Sequence, residues 1–299
     1  MTQKDKHLQA LNSFAKKIIK DPNAIALLLY GSLAYGDVWK KSDLDLELIV
    51  RDGSISQNRH YFFEEKGVFG HLELYEISAF KKGLQRIRGG FDHGKYGKGK
   101  LVFSKDDALS KLFEEARKIG EEDAPKAFAA RVSELTNWMN KAEKHITVTN
   151  EPLYAQRFLQ LCAPIVADME MLRNKENPSR ESILRARQLN PDLMHEIFVM
   201  PSTTAMSEAD IRHTLKILDD YLMQHISWWS KHIIRFLNDG ETKTISQISK
   251  HCVGPDSLAY LRDKGIVIGT TQSTRLYKNS KITIDEYACV YIGEEPGHE

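Results

Sequence analysis

Hydrophobic and polar positions recur with two different periods along this chain, and the change of period divides it. Residues 3–20 read as an amphipathic helix that Asp21-Pro22-Asn23 ends. "AIALLLY" (24–30) is a short continuous apolar run, the pattern of a buried strand. "DLDLELIV" (43–50) alternates acid and aliphatic, which predicts a second strand with one polar face. "RHYFFEEKGVFGHLELYEIS" (59–78) reads as two strands around Lys66-Gly67, a hairpin signal. From about residue 106 the period becomes helical. Tyr154, Phe158, Leu161, Ile165, Met169 and Leu172 recur at spacings of four and three, and so do Ile211, Leu215, Leu218, Leu222, Ile226, Trp229, Ile233 and Phe236. Ser207 and Asp210 make a capping box ahead of that second, long helix, and "RNKENPS" (173–179) is a turn between helices. Asn238-Asp239-Gly240 breaks the pattern. The tail then reads as helix (245–252), turn, helix (256–264) and two strands around a polar tip, the order of a winged helix-turn-helix. The pattern predicts an α+β fold: a small mixed β-sheet core with flanking helices over 1–105, a helical bundle over 106–239 and a winged helix over 240–299.

Composition narrows the class. The chain has 299 residues, 41% hydrophobic and 28% charged, with a net charge of +1, so it is no general polyanion binder. Cys162, Cys252 and Cys289 are odd in number and widely spaced, which makes neither a disulfide framework nor a zinc pattern. With no signal-peptide core at the N-terminus and no apolar run near the roughly 20 residues of a span, the expectation is a cytoplasmic protein without a membrane partner.

The chemistry concentrates in "LLLYGSLAYGDVWKKSDLDLELIV" (27–50). Asp43 and Asp45 on a strand point to one face about 6–7 Å apart. Two hard oxygen ligands so placed suit Mg²⁺, which takes one or two carboxylates together with phosphate oxygens, and the cation offsets the repulsion between them. Gly31-Ser32 offers close backbone approach, N–H groups and a hydroxyl to a phosphate. The combination fits phosphoryl or nucleotidyl transfer with two magnesium ions. The bland alternative is a solvated edge strand, which the continued alternation at Glu47 also fits.

"YGSLAYGDVWKKSDLDLELIV" resembles the signature of the DNA polymerase β-like nucleotidyltransferase superfamily: Gly-Ser after an apolar residue, then acid-apolar-acid on a strand. The resemblance covers residues 24–77. It implies a nucleotidyltransferase core, a nucleoside triphosphate donor and a third metal-binding acid on a nearby strand, for which "HLELYEIS" offers Glu73, with Glu76 as second choice and His71 as a possible neighbour on the same face. The helical bundle behind the sheet looks like antibiotic nucleotidyltransferases of the kanamycin and lincosamide types. The added winged helix is similar to an uncharacterised nucleotidyltransferase-like family of Gram-positive bacteria. In this reading Asp43, Asp45 and Glu73 are catalytic and metal-binding, while Gly31, Ser32, Lys95 and Lys98 hold the triphosphate.

Three further features bear on the partner. Residues 81–105 carry Lys81, Lys82, Arg86, Arg88, Lys95, Lys98, Lys100 and Lys105 against Asp92 alone, so they offer either triphosphate contacts or a groove for an RNA acceptor. Gly89 to Lys95 imitates a P-loop, but Tyr96 follows where Ser or Thr is needed. Residues 241–299 hold seven Lys and Arg against eight Asp and Glu, a poor footprint for duplex DNA. The competing function is a nucleotide-binding regulator whose transferase domain is idle and which signals through the winged helix. The acceptor hydroxyl has no signature: it fits an antibiotic, another metabolite, RNA or a protein side chain. The Ile211–Phe236 stripe suits a dimer seam as well as an internal core.

Overall fold

The computed structural model describes residues 2–55, 58–86, 93–252, 254 and 257–293. The chain forms two compact units, Met1–Gly120 and Glu121–Glu299.

The first unit opens with α1 (Gln3–Ile18), whose start is fixed by a reciprocal Thr2–Asp5 capping box. It continues through β1 (Ala24–Leu29), α2 (Gly31–Tyr35), β2 (Leu44–Val50), β3 (His60–Glu65), β4 (Val68–Glu76), α3 (Ile77–Arg86), α4 (His93–Gly97), β5 (Lys100–Ser104) and α5 (Asp107–Ala116). The strands form one mixed sheet in the order β3-β4-β2-β1-β5, with β2 and β4 parallel and the other pairs antiparallel. Lys66 and Gly67, both at positive φ (51° and 70°), make the two-residue turn between β3 and β4.

The alternation in β2 sorts its side chains to two cores. Leu44, Leu46, Leu48 and Val50 join Leu27, Leu29 and Leu72 under α1, where Ala10 and Leu11 cover them. Ile49 joins Ala26, Leu28 and Tyr30 on the opposite face, covered by Phe80 and Leu84 of α3, Tyr96 of α4 and Leu109 and Phe113 of α5. Asp45 and Glu47 belong to this second face. Because β2 is the middle strand of five, its acids are not those of a solvated edge.

The period change near residue 106 marks a change of secondary structure, not of unit. Leu109 and Phe113 are fully buried against the sheet, so α5 stays with the first unit and the boundary between units falls at Gly120 rather than at 105.

The second unit is built on α6 (Asp123–Thr147) and α7 (Pro152–Arg173), which pack along their lengths. Next come α8 (Ser182–Leu189), a kinked run of α9 (Pro191–Met194), a π-helical stretch His195–Val199 and α10 (Met200–Thr203), then α11 (Glu208–Gln224) and α12 (Ile226–Leu237). The Ser207–Asp210 capping box is present. The stripe expected to form one long helix is broken at His225 into two. Ile211, Leu218, Leu222, Trp229 and Ile233 are fully buried in it, which makes the stripe an internal core. In α7 the expected stripe is buried only in its second half: Tyr154 is exposed, and Ala155, Leu159 and Ala163 do the packing there. After α12 come β6 (Lys243–Thr244), α13 (Ile245–Ile248), α14 (Leu258–Asp263) and the antiparallel pair β7 (Ile268–Arg275) and β8 (Thr283–Val290), in a sheet ordered β6-β8-β7. The helices α13 and α14 are shorter than the expected 245–252 and 256–264. Among the described residues no helix is long and apolar enough to cross a membrane.

Candidate active site

The site starts where β1 runs out. Tyr30 donates its backbone N–H to Asp45 O (2.9 Å), which ties the end of β1 to the start of β2. Gly31 then turns the chain at φ +63°, a left-handed conformation that suits glycine. A Cβ at Gly31 would overlap Asp45 Oδ2, so the absent side chain is the space the Asp45 carboxylate occupies. Ser32 follows in α2, and its carbonyl accepts the N–H groups of Gly36 and Asp37. Asp45 is half-buried, and Asp43, immediately ahead of β2, is exposed. His7 of α1, itself buried, faces Ser42 O with Nε2 at 2.9 Å and so anchors the residue preceding Asp43.

Strand register sets the remaining acids. On the parallel β2–β4 pair, Asp45 lies opposite His71 and Glu47 opposite Glu73. Glu73 therefore shares the face of Asp45, one pair further along. Glu76 is three residues from Glu73, so strand alternation sends it to the other face. There it accepts the Gly53 N–H at 2.9 Å and braces the turn after β2. Of the two candidates for a third acid, only Glu73 faces the site.

Sequence reasoning missed Glu47, which it treated as a mere continuation of the alternation. Glu47 is 1% exposed, accepts a hydrogen bond from the Tyr30 hydroxyl and is ion-paired to Lys95. Lys95 Nζ also lies 3.5 Å from Glu73 Oε2, which accepts the Tyr75 hydroxyl at 2.9 Å, while Glu73 Oε1 faces His60 Nδ1 at 3.3 Å. Lys95 sits over the Tyr30 ring (4.8 Å to its centroid), and Lys98 reaches over the Tyr35 ring of α2 (5.4 Å). Two lysines of the basic segment are thus brought to the acid face and to the helix after Gly31.

The electrostatics follow from depth. Burial pushes the Glu47 carboxyl up from its ordinary range, with Lys95 and Tyr30 pulling against it. Burial and the neighbouring Glu47 carboxylate push the Tyr30 phenol well up. Burial also works against the Lys95 charge, but Glu47 and then Glu73 more than offset it and leave the ammonium above its ordinary value. Burial would raise Glu73 too, yet Tyr75, Lys95 and His60 together bring it below the usual range, so it is held ionised.

The basic segment is less open than its composition suggests. Lys81 is paired to Asp106 (2.8 Å), Lys95 to the two glutamates, and Lys105 donates to Asp21 O (2.8 Å). Of the P-loop imitation from Gly89 to Lys95, residues 89–92 lie outside the described residues and the rest opens α4.

The donor set is a fit for magnesium at the aspartates. Asp43 and Asp45 supply hard oxygens, and the glycine cradle holds Asp45 where a side chain would displace it. Glu73 brings a third carboxylate to the same face, already engaged by Tyr75, Lys95 and His60.

Neither a protein-family model nor a curated protein matches the chain. Among solved structures it is similar to a nucleotidyltransferase-like protein from Exiguobacterium sibiricum 255-15, with a TM-score of 0.61 and 15% sequence identity, over 95% of this chain and 99% of that one. The likeness runs nearly the full length of both chains and establishes a nucleotidyltransferase-like α+β fold.

Proposed function

We propose that the protein is a magnesium-dependent nucleotidyltransferase that moves a nucleoside monophosphate from a nucleoside triphosphate to an acceptor hydroxyl. The observation that carries this reading is the seating of the Asp45 carboxylate in the space left by Gly31, the residue before Ser32, in a nucleotidyltransferase-like fold. A carboxylate needing that much backbone accommodation is not required by the fold's packing.

Asp43 and Asp45 would hold Mg²⁺, which when bound supplies charge neutralisation for the triphosphate and polarisation of the acceptor oxygen. The Gly31 turn and the Ser32 hydroxyl bind the β- and γ-phosphates. Lys98 adds positive charge beside α2. Lys95 holds Glu73 and Glu47 in place and lends its charge to the same region. Glu73, held ionised, is better suited to metal ligation than to proton abstraction, since a general base works best with a pKa near the operating pH. The acceptor is a small molecule, an RNA or a protein.

One observation favours a second reading, a nucleotide-binding regulator with an idle transferase domain: Glu73 is engaged by Lys95, Tyr75 and His60 instead of being presented to a cation. The sheet order β6-β8-β7 and the preceding helices support reading 240–299 as a winged helix. Arg262 and Lys264 are paired to Asp263 (2.6 Å) and Asp219 (2.7 Å), and acids outnumber bases in the segment by eight to seven, which supports a packing or gating role over duplex DNA recognition.

A thermal shift with ATP, GTP, CTP and UTP, each with Mg²⁺ or EDTA, beside Asp45→Asn, tests both readings. The transferase predicts a magnesium-dependent rise in melting temperature that disappears in the variant, because ligand bound to the native state stabilises it. A rise that ignores both metal and variant supports the regulator, and no rise with any nucleotide refutes both.

A further inference from the structure

A second cluster beside the acid face has a different chemistry. His60, His71 and Glu73 each present one ligand atom, and the three atoms lie within 4.8 Å of one another. We infer that these residues form a separate site for a borderline transition metal, with zinc as the fitting ion.

The strands dictate the arrangement. His71 and Glu73 are two apart on β4 and so share a face, and His60 on β3 is the cross-strand partner of Glu73. The ligands are therefore held by paired backbone rather than by a loop. Two ligands of one tetrahedral zinc, at roughly 2.0–2.1 Å from the ion, sit roughly 3.3–3.4 Å apart, and His60 Nδ1 is 3.3 Å from Glu73 Oε1. The remaining closure falls to side-chain rotation, for which His60 has room because its side chain is 58% exposed. Glu73 is oriented through its other oxygen by the Tyr75 hydroxyl, the type of outer contact that fixes a ligating carboxylate. On the other flank Phe62 stacks on the His71 ring at 5.1 Å and steadies it. Lys95 does not oppose the cation fully, since the buried Glu47 carboxylate already balances its charge.

Two imidazoles and one carboxylate select zinc or its neighbours over magnesium, which keeps to oxygen ligands. The two ions thus sort themselves: magnesium to Asp43 and Asp45, zinc to the histidines. The consequence rests on the transferase reading above. Zinc on Glu73 withdraws the third carboxylate from the transfer site and acts as a brake on it.

The test is zinc titration of chelator-stripped full-length protein against a chromophoric competitor, with Co²⁺ substitution followed by its visible absorption. Wild type should bind one zinc at this site. His60→Ala and His71→Ala should each weaken binding by at least about tenfold and abolish the cobalt spectrum, while Asp45→Asn keeps both. His71→Gln, which keeps most of the ring's bulk, and circular dichroism separate ligand loss from misfolding. Zinc affinity unchanged in both histidine variants, or lost in Asp45→Asn instead, overturns the inference, as does the absence of zinc binding. None of these readouts needs a nucleotide, so the zinc site can fail while the transferase stands, or the reverse. With both intact, zinc should reduce the magnesium-nucleotide thermal shift in wild type and not in His60→Ala.

Discussion

Gly31→Ala separates the strain of a turn from the placement of an acid. The position lies at φ +63°, and a left-handed alanine costs about 1–2 kcal/mol relative to glycine. Space adds a second cost. The new Cβ would overlap Asp45 Oδ2 and lie 3.0 Å from its Cγ, so the carboxylate must swing away from the turn. The backbone stays where it is, because Tyr30 N–H to Asp45 O and the β1–β2 ladder hold it. The expected result in urea denaturation is a loss of about 1–2 kcal/mol from backbone strain, together with loss of the magnesium-dependent nucleotide shift. A double-mutant cycle isolates the contact. In an Asp45→Ala background the overlapping oxygen is gone, so Gly31→Ala should cost less than in wild type, with a coupling of about 0.5–2 kcal/mol. If Gly31→Ala changes stability by less than about 0.5 kcal/mol and leaves the nucleotide shift intact, the cradle plays no part in binding. Equal costs in the two backgrounds would show that the carboxylate and the glycine are independent.

Lys95→Met should leave Glu47 buried with only Tyr30 as partner, so its carboxyl takes up a proton more readily than in the unfolded chain. Because a folded pKa above the unfolded one means stability falls as pH rises between them, the variant's deficit should be larger at pH 8 than at pH 5. About 2–3 kcal/mol is expected at the higher pH by urea denaturation, below the full value for a broken buried pair because the Lys95 side chain is 39% exposed. Asp106 pairs with Lys81 and caps α5 by accepting the Leu109 N–H (2.8 Å), and these contacts, Lys81 foremost, hold its carboxyl below the ordinary range. Its stabilisation is present above the unfolded pKa near 3.8 and is lost as pH falls through the lower folded value, so Asp106→Asn should flatten the acid limb of a stability–pH curve. The asparagine keeps the cap, which distinguishes it from Asp106→Ala, expected to cost about 1 kcal/mol at neutral pH.

How much of this was legible in the sequence depends on which signals are local. The hairpin at Lys66-Gly67, the capping box at Ser207 and the strand alternation of 43–50 are short-range patterns, and each is found at the expected place. The period of two also suffices to place Glu73 and Glu76 on opposite faces of β4. Glu47 was illegible for a different reason. An acid in an alternating strand looks the same at an edge and in the middle of a sheet, and only the pairing of β2 with β1 and β4 makes it buried. Its partner Lys95 stands 48 residues away. The break at His225 has no glycine or proline to announce it, and the helical period of α5 cannot say which unit the helix packs on.

The alternation of β2 also bears on how the sheet reaches its register. Its leucines and its acids point to opposite sides, so a slip of one residue against β1 or β4 would exchange them. Asp45 and Glu47 would then be driven among Ala10, Leu11 and Leu27, and Leu46 would come to face Lys95. The slipped pairing would part Glu47 from Lys95 and carry its charge into an apolar cluster. Asp45, proposed to hold metal, and Glu47, which pairs with Lys95, would therefore also act as proofreading marks during folding, and replacing both with leucine would remove that mark.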